Sequence, residues 1–154
     1  MSKRPGSPTR SDPPVRLAHL GVIVRRLDAA ELFYKRLGLA AGRHATFDRE
    51  NLRMAFIQVE DAEIELLEPV ASEGPLRRFL AARGEGVHHV ALEVVDIEQA
   101  LARAREAGMR PLDHAPRPGA LGTWVAFLHP GFAHGVLLEL VERPRGQSSG
   151  KPPE

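Results

Sequence analysis

The 154-residue chain has no cysteine. That excludes disulfides, thiolate nucleophiles, iron–sulfur clusters and cysteine-based zinc sites, so any metal must be held by His, Asp or Glu. No stretch approaches the roughly 20 apolar residues of a membrane-spanning helix. Neither sign of charge dominates: Lys and Arg number 21, Asp and Glu 20, for a formal net charge of +1. Such a balance gives no electrostatic reason to expect nucleic acid or an anionic membrane as a partner. Residues 1–14 are basic and rich in Ser and Pro but lack an apolar h-region, so they do not read as a secretory signal. They and residues 144–154 have the composition of disordered tails, and a cytoplasmic location is expected. Apolar residues make up 43% and charged residues 27%, enough for a packed core between residues 15 and 143.

The core says the same thing twice. His19-Leu20-Gly21-Val22-Ile23-Val24 matches His89-Val90-Ala91-Leu92-Glu93-Val94 at an offset of 70 residues, and Gly38 falls on Gly108 at the same offset. Ala55-Phe56-Ile57 meets Ala126-Phe127-Leu128 at 71, and Glu65-Leu66-Leu67-Glu68 meets Glu139-Leu140-Val141-Glu142 at 74. Four matches in the same order mark a duplication.

Each half reads as βαβββ, giving an α+β protein with modules at 15–70 and 87–143 and a linker at 71–86. Leu17 to Val24 and Val87 to Val95 are short, rich in β-branched residues and read as strands. Asp28 with Glu31, and Asp96 with Gln99, have the spacing of helix N-caps. Leu32, Phe33 and Leu37 are expected to form the apolar face of the first helix, and Ile97, Ala100, Leu101 and Ala104 that of the second. Gly38 and Gly108 suit the left-handed residue that ends a helix. Further strands are expected at about 41–47, 52–59, 63–68, 110–112, 123–128 and 135–141. Pro75 opens a short linker helix carrying Leu76, Phe79 and Leu80.

Period-two alternation then singles out four side chains. Leu20, Val22 and Val24 share a packed face, so His19 points away from it; Val90, Leu92 and Val94 do the same for His89. Ile64 and Leu66 bracket Glu65, and Leu138 and Leu140 bracket Glu139. Two neutral imidazoles and two carboxylates converging on one cavity suit a borderline divalent ion and leave positions for substrate. His88 is expected on the opposite face from His89. His44, His114, His129 and His134 are expected in solvent, and Trp124 is left between cavity lining and core.

The duplicated βαβββ with His and Glu at these places resembles the vicinal oxygen chelate superfamily. Within it, residues 17–142 resemble the methylmalonyl-CoA epimerase family. The stretches that carry the likeness are Ala18-His19-Leu20-Gly21-Val22, Ile64-Glu65-Leu66-Leu67-Glu68-Pro69, Gly84-Glu85-Gly86-Val87-His88-His89-Val90-Ala91, Pro116-Arg117-Pro118-Gly119-Ala120, Val125-Ala126-Phe127-Leu128-His129-Pro130 and Gly135-Val136-Leu137-Leu138-Glu139-Leu140. The resemblance implies a half-open mixed β-barrel of the glyoxalase type around a metal site. It implies His19, Glu65, His89 and Glu139 as ligands of a divalent ion, cobalt first, with manganese, nickel or zinc as alternatives. It also implies a homodimer, an acyl-CoA substrate, and interconversion of the two C2 epimers through a metal-stabilised enolate.

Glu139 is the first candidate for one base and Glu65 for the other. Some members have Gln at the place of Glu65 and use a Glu on the preceding strand, but Leu52-Arg53-Met54-Ala55 offers no inward carboxylate here. Many members carry Lys after the His-Pro pair, where this chain has Gly131. Two other readings share the fold: a glyoxalase I-like lactoylglutathione lyase and a metal-free small-molecule-binding resistance protein.

Overall fold

The computed structural model describes residues 16–144 and 146; the expected tails fall almost wholly outside them. The elements are β1 (Arg16–Ile23), α1 (Leu27–Arg36), β2 (Ala41–Phe47), β3 (Leu52–Val59), β4 (Ala62–Pro69), α2 (Pro75–Arg83), β5 (Gly86–Glu93), α3 (Ile97–Glu106), β6 (Arg117–Pro118), β7 (Trp124–Leu128) and β8 (Leu138–Glu142). All eight strands join one mixed sheet in the order β2-β3-β4-β1-β5-β8-β7-β6. At its centre β1 and β5, the equivalent first strands of the halves, run antiparallel. Each then pairs in parallel with the last strand of its own half, β1 with β4 and β5 with β8. This gives the expected half-open, curled mixed sheet. No helix among the described residues is long and apolar enough to cross a membrane.

Alternation divides the two faces of the sheet. On the convex face Val24, Ala55, Ile57 and Leu66 pack with Leu27 of α1, and Ala126, Leu128 and Leu140 pack with Ile97, Leu101 and Ala104 of α3. On the concave face Leu52, Met54, Phe56 and Leu67 pack with Leu80 of α2 in one half, while Ala18, Ala91, Val125 and Val141 cluster near the centre. Burying these aliphatic side chains stabilises the fold by roughly 1.5–3 kcal/mol for each Leu, Ile or Phe.

Helix α1 departs from expectation in two linked ways. It begins at Leu27, so Arg26 rather than Asp28 holds the N-cap position, and no side chain caps from there. Asp28 instead pairs with Arg26 at 2.6 Å, and Glu31 pairs with His44. Starting earlier rotates the packed stripe onto Leu27, Ala30 and Tyr34, and Leu32, Phe33 and Leu37 are exposed. The offset of 70 that fits Gly38 to Gly108 also maps Arg26 onto Asp96, so the duplication held the right register where local hydrophobicity did not. In α3, Asp96 does cap, accepting the Gln99 N–H at 2.9 Å.

The exposed N–H groups at both helix starts find a partner the pattern did not reveal. Glu68, at the end of β4, accepts the Leu27 N–H at 2.8 Å; its repeat partner Glu142, at the end of β8, accepts the Ile97 N–H at 2.8 Å. A carboxylate at a helix N-terminus satisfies an orphan donor and complements the helix dipole. The second strand expected in the second half, at 110–112, shrinks, because Pro111 has no N–H to donate. It forms a single bridge to Leu128, flanked by Leu112 N–H to Phe127 O at 2.8 Å and His129 N–H to Arg110 O at 3.1 Å. A two-residue strand at Arg117–Pro118 was not expected, and β8 starts at Leu138, three residues after the expected Gly135.

Glu68→Ala and Glu142→Ala should each lower stability by about 1 kcal/mol, within a range of about 0.5–2 for a lost cap. Urea denaturation should show two lowered midpoints with unchanged slopes; no shift in either would show that the carboxylates do not anchor the helices.

Candidate metal centre

Two rows of side chains cross the concave face. In one, Phe56 of β3, Glu65 of β4, Gly21 of β1 and His89 of β5 lie in register. In the other, Phe127 of β7, Glu139 of β8, Ala91 of β5 and His19 of β1 lie in register. Each row reads Phe, Glu, small, His. The small residue follows from packing: the imidazole from the other half folds over it. A Cβ at Gly21 would be driven into the His89 ring.

All four expected residues come together there. His19, Glu65, His89 and Glu139 are each between 5 and 7% exposed. The Nε2 atoms of the two histidines are 3.0 Å apart, and Glu139 Oε2 lies 2.9 Å from His19 Nε2 and 3.0 Å from His89 Nε2. Glu65 Oε2 is 3.2 Å from His19 Nε2 and 3.7 Å from His89 Nε2. Donor atoms of His19, His89 and Glu139 all fall within 4.8 Å of one another. Adjacent donors about 2.1 Å from one ion would be separated by about 3 Å, so these spacings suit a shared cation.

Hydrogen bonding fits the same conclusion. Glu139 Oε2 is buried and has no donor in hydrogen-bonding geometry; a buried carboxylate oxygen of that kind is costly without a compensating cation. Burial alone would raise the Glu139 carboxyl, but the two imidazoles outweigh it and hold the group down at about 2. Burial raises the Glu65 carboxyl, with the Glu139 charge adding to it. Burial pulls the His19 imidazole down, yet Glu65 and Glu139 leave it raised.

The cluster forms the floor of a cavity of about 100 Å³, walled by Met54, Phe56, Leu67, Val125, Phe127 and Val141. Glu50 lines this cavity and Asp48 does not. Glu50 pairs with Arg117 at 3.2 Å, and Arg117 with Asp113 at 3.3 Å, so an ionic link joins the two halves at the rim. A second cavity of about 510 Å³ shares Glu50, Leu76, His88, Arg117 and Phe127 with the first, so the two adjoin across these side chains.

Two polar features went unread in the sequence. Glu63, two residues before Glu65 on the same face, is buried between Arg43 at 2.5 Å and Arg143 at 3.5 Å. Its position in the same alternation as Glu65 was the available signal. His88, expected on the opposite face, lines the cavity beside His89, with the two Nδ1 atoms 2.9 Å apart. Burial holds its imidazole down at about 4. His44, His114, His129 and His134 are exposed, as expected, and Trp124 is half exposed and lines neither cavity.

The sequence profile of the glyoxalase/bleomycin resistance protein/dioxygenase superfamily matches residues 18–127. The ethylmalonyl-CoA/methylmalonyl-CoA epimerase of Cereibacter sphaeroides is 38% identical over 128 residues, 81% of this chain and 96% of that protein. Bovine mitochondrial methylmalonyl-CoA epimerase is 36% identical over 127 residues, 81% of this chain and 73% of that protein. The structure of a Streptomyces coelicolor methylmalonyl-CoA epimerase variant, in complex with 2-nitronate-propionyl-CoA, superposes with a TM-score of 0.78 at 34% identity. It covers 82% of this chain and 96% of its own.

The chain belongs to the glyoxalase superfamily, within its methylmalonyl-CoA epimerase family. The superfamily match takes in His19, Glu65 and His89; Glu139 lies beyond it, on the last strand, and completes the cluster through the second half of the duplication. The epimerase family is one of isomerases, and the glyoxalase fold supplies the shared cavity in which this cluster sits.

Gly21→Ala should displace the His89 ring and cost about 1–3 kcal/mol of stability, the usual penalty for overpacking. Titrating the folded variant with Co(II) should show an affinity at least tenfold weaker, by the measure of a perturbed ligand sphere. Binding as tight as wild type would contradict the packing of His89 over Gly21.

Proposed function

We propose that this protein is a metal-dependent epimerase that interconverts (R)- and (S)-methylmalonyl-CoA through removal and return of the C2 proton. The observation that carries this is the pairing of two carboxylates with two imidazoles on the floor of one apolar-walled cavity. Epimerisation needs an acid/base group on each side of a planar enolate, since a single group on one side returns the same epimer. Glu65 and Glu139 come from opposite halves of the sheet and approach the imidazoles from different strands, which supports assigning one to each side. The short contacts of both carboxylates fall on Oε2, so Oε1 is the oxygen assigned to carry the proton.

His19, His89, Glu139 and Glu65 would hold a divalent cation, cobalt being the first choice. When bound, such an ion supplies Lewis acidity toward the thioester and carboxylate oxygens of the substrate. The apolar walls exclude water, which strengthens every charge interaction inside. The adjoining cavity of about 510 Å³ gives the acyl carrier a place beside the reacting carbon. The complex of the Streptomyces coelicolor relative with a CoA ester analogue supports a CoA ester as substrate.

Metal-loaded protein incubated with methylmalonyl-CoA in D2O should exchange the C2 proton and yield both epimers, and chelation should stop the exchange. Glu139→Gln should keep the fold and reduce turnover about 10²–10⁴-fold, the usual worth of general-base assistance. Undiminished exchange under chelation would sink the metal requirement; near-normal turnover in the variant would remove Glu139 from the chemistry.

A further inference from the structure

The pairing of β1 with β5 breaks register at two places. Leu17 pairs with Leu92 and His19 with Ala91, so Ala18 is extra on β1; Gly21 pairs with His89 and Val22 with Val87, so His88 is extra on β5. Ala18 and His88 are equivalent in the duplication, both standing immediately before a ligand-type histidine. A bulge inserts one residue and turns two successive side chains toward the same face. The first half fills its bulge with an alanine buried in the central apolar cluster. The second half fills it with an imidazole, and this breaks the near-symmetry of the site.

His88 is placed with care. Phe79 of α2 packs edge-on behind its ring with centroids 5.0 Å apart, and the His88 and His89 rings stand nearly perpendicular at 5.2 Å. Their Nδ1 atoms are 2.9 Å apart, a distance at which one must donate and the other accept. His89 Nε2 meanwhile faces His19 and Glu139. A ligand imidazole must present a lone pair on the coordinating nitrogen, and the partner of its other nitrogen decides which tautomer is present.

We propose that His88 is a positioning residue, accepting a hydrogen bond from His89 Nδ1–H and so fixing the tautomer that leaves His89 Nε2 free to bind a divalent cation. This rests on the metal reading above for its purpose: without an ion Glu139 Oε2, 3.0 Å away, competes for a proton on His89 Nε2, and the His88 contact opposes it. Phe127, whose ring lies 5.7 Å from that of His89, holds the imidazole from the other side. Together, the acceptor and the two aromatic rings restrict both rotation and protonation pattern of one ligand.

The test compares wild type with His88→Ala and His88→Asn. Ala is the residue the other half carries at the equivalent place, so the fold should accept it. Asn carries an oxygen about where His has Nδ1 and can accept the same hydrogen bond. Ring-nitrogen NMR of metal-free protein should show a larger share of His89 protonated at Nδ1 in wild type and Asn than in Ala, where Glu139 draws the proton to Nε2. Titration with Co(II), followed by its visible absorption, should show Ala about 10–100-fold weaker than wild type, with Asn recovering most of the loss. Urea midpoints should not track the affinities. An Nδ1–H share in the Ala variant equal to that of wild type, or an Asn variant as weak as Ala, overturns the proposal. A wild type that shows the tautomer but binds no Co(II) sinks the metal reading instead.

Discussion

Four buried polar side chains, two of them carboxylates, point at one another across the middle of this protein, and the rest of the fold has to accommodate that. The two imidazoles hold the Glu139 carboxyl down, but burial and the Glu139 charge leave the Glu65 carboxyl raised, so the four groups alone do not balance. Removing charge from water without compensation costs several kcal/mol per ion. A cation among the four donors turns this penalty into binding energy, and it is the reading under which the cluster makes physical sense. An arrangement of this kind trades stability of the empty protein for readiness to hold an ion.

Duplication is what makes the arrangement possible with few residues. One βαβββ unit contributes a Glu from its last strand and a His from its first, and the antiparallel pairing of β1 with β5 brings the second copy round to face it. The same residues do structural work on the other side of the sheet. Glu65 and Glu139 face inward, while Glu68 and Glu142, three positions on, anchor the N-termini of α1 and α3. A shift of one residue in either terminal strand would therefore move a candidate ligand and unseat a helix together, which pins the register. The exceptions to symmetry are at the site: Gly21 where the other half has Ala91, and His88 where it has Ala18.

Much of this was legible in the sequence because the pattern of repetition is independent of local propensity. The offset placed His19, Glu65, His89 and Glu139 at matching points, and strand alternation put them on the unpacked face; both hold in the structure. What failed were inferences from short windows. Asp28 looked like a cap because Asp-x-x-Glu is a capping spacing, yet the chain caps α1 from a distant strand, and the helix turns Leu32, Phe33 and Leu37 outward. His88 was misplaced because alternation assumes an unbroken ladder, and a bulge is a matter of pairing between strands that no single strand announces. Glu63 was visible in the same alternation as Glu65, but its two arginine partners, Arg43 and Arg143, come from β2 and the end of β8, distant in the chain.

The cavity is small and apolar above a charged floor, and it adjoins the larger one across Glu50, Arg117 and His88. That shape separates a reacting carbon, held near the donors, from a carrier held outside, which is what an acyl-CoA isomerase requires. The most direct measurement is anomalous X-ray diffraction at the cobalt edge from crystals of Co(II)-loaded protein. The account predicts one peak per chain, within about 2.3 Å of His19 Nε2, His89 Nε2 and an oxygen of each of Glu65 and Glu139, as for first-row metal ligands. A peak elsewhere, or none among these four side chains, would contradict it.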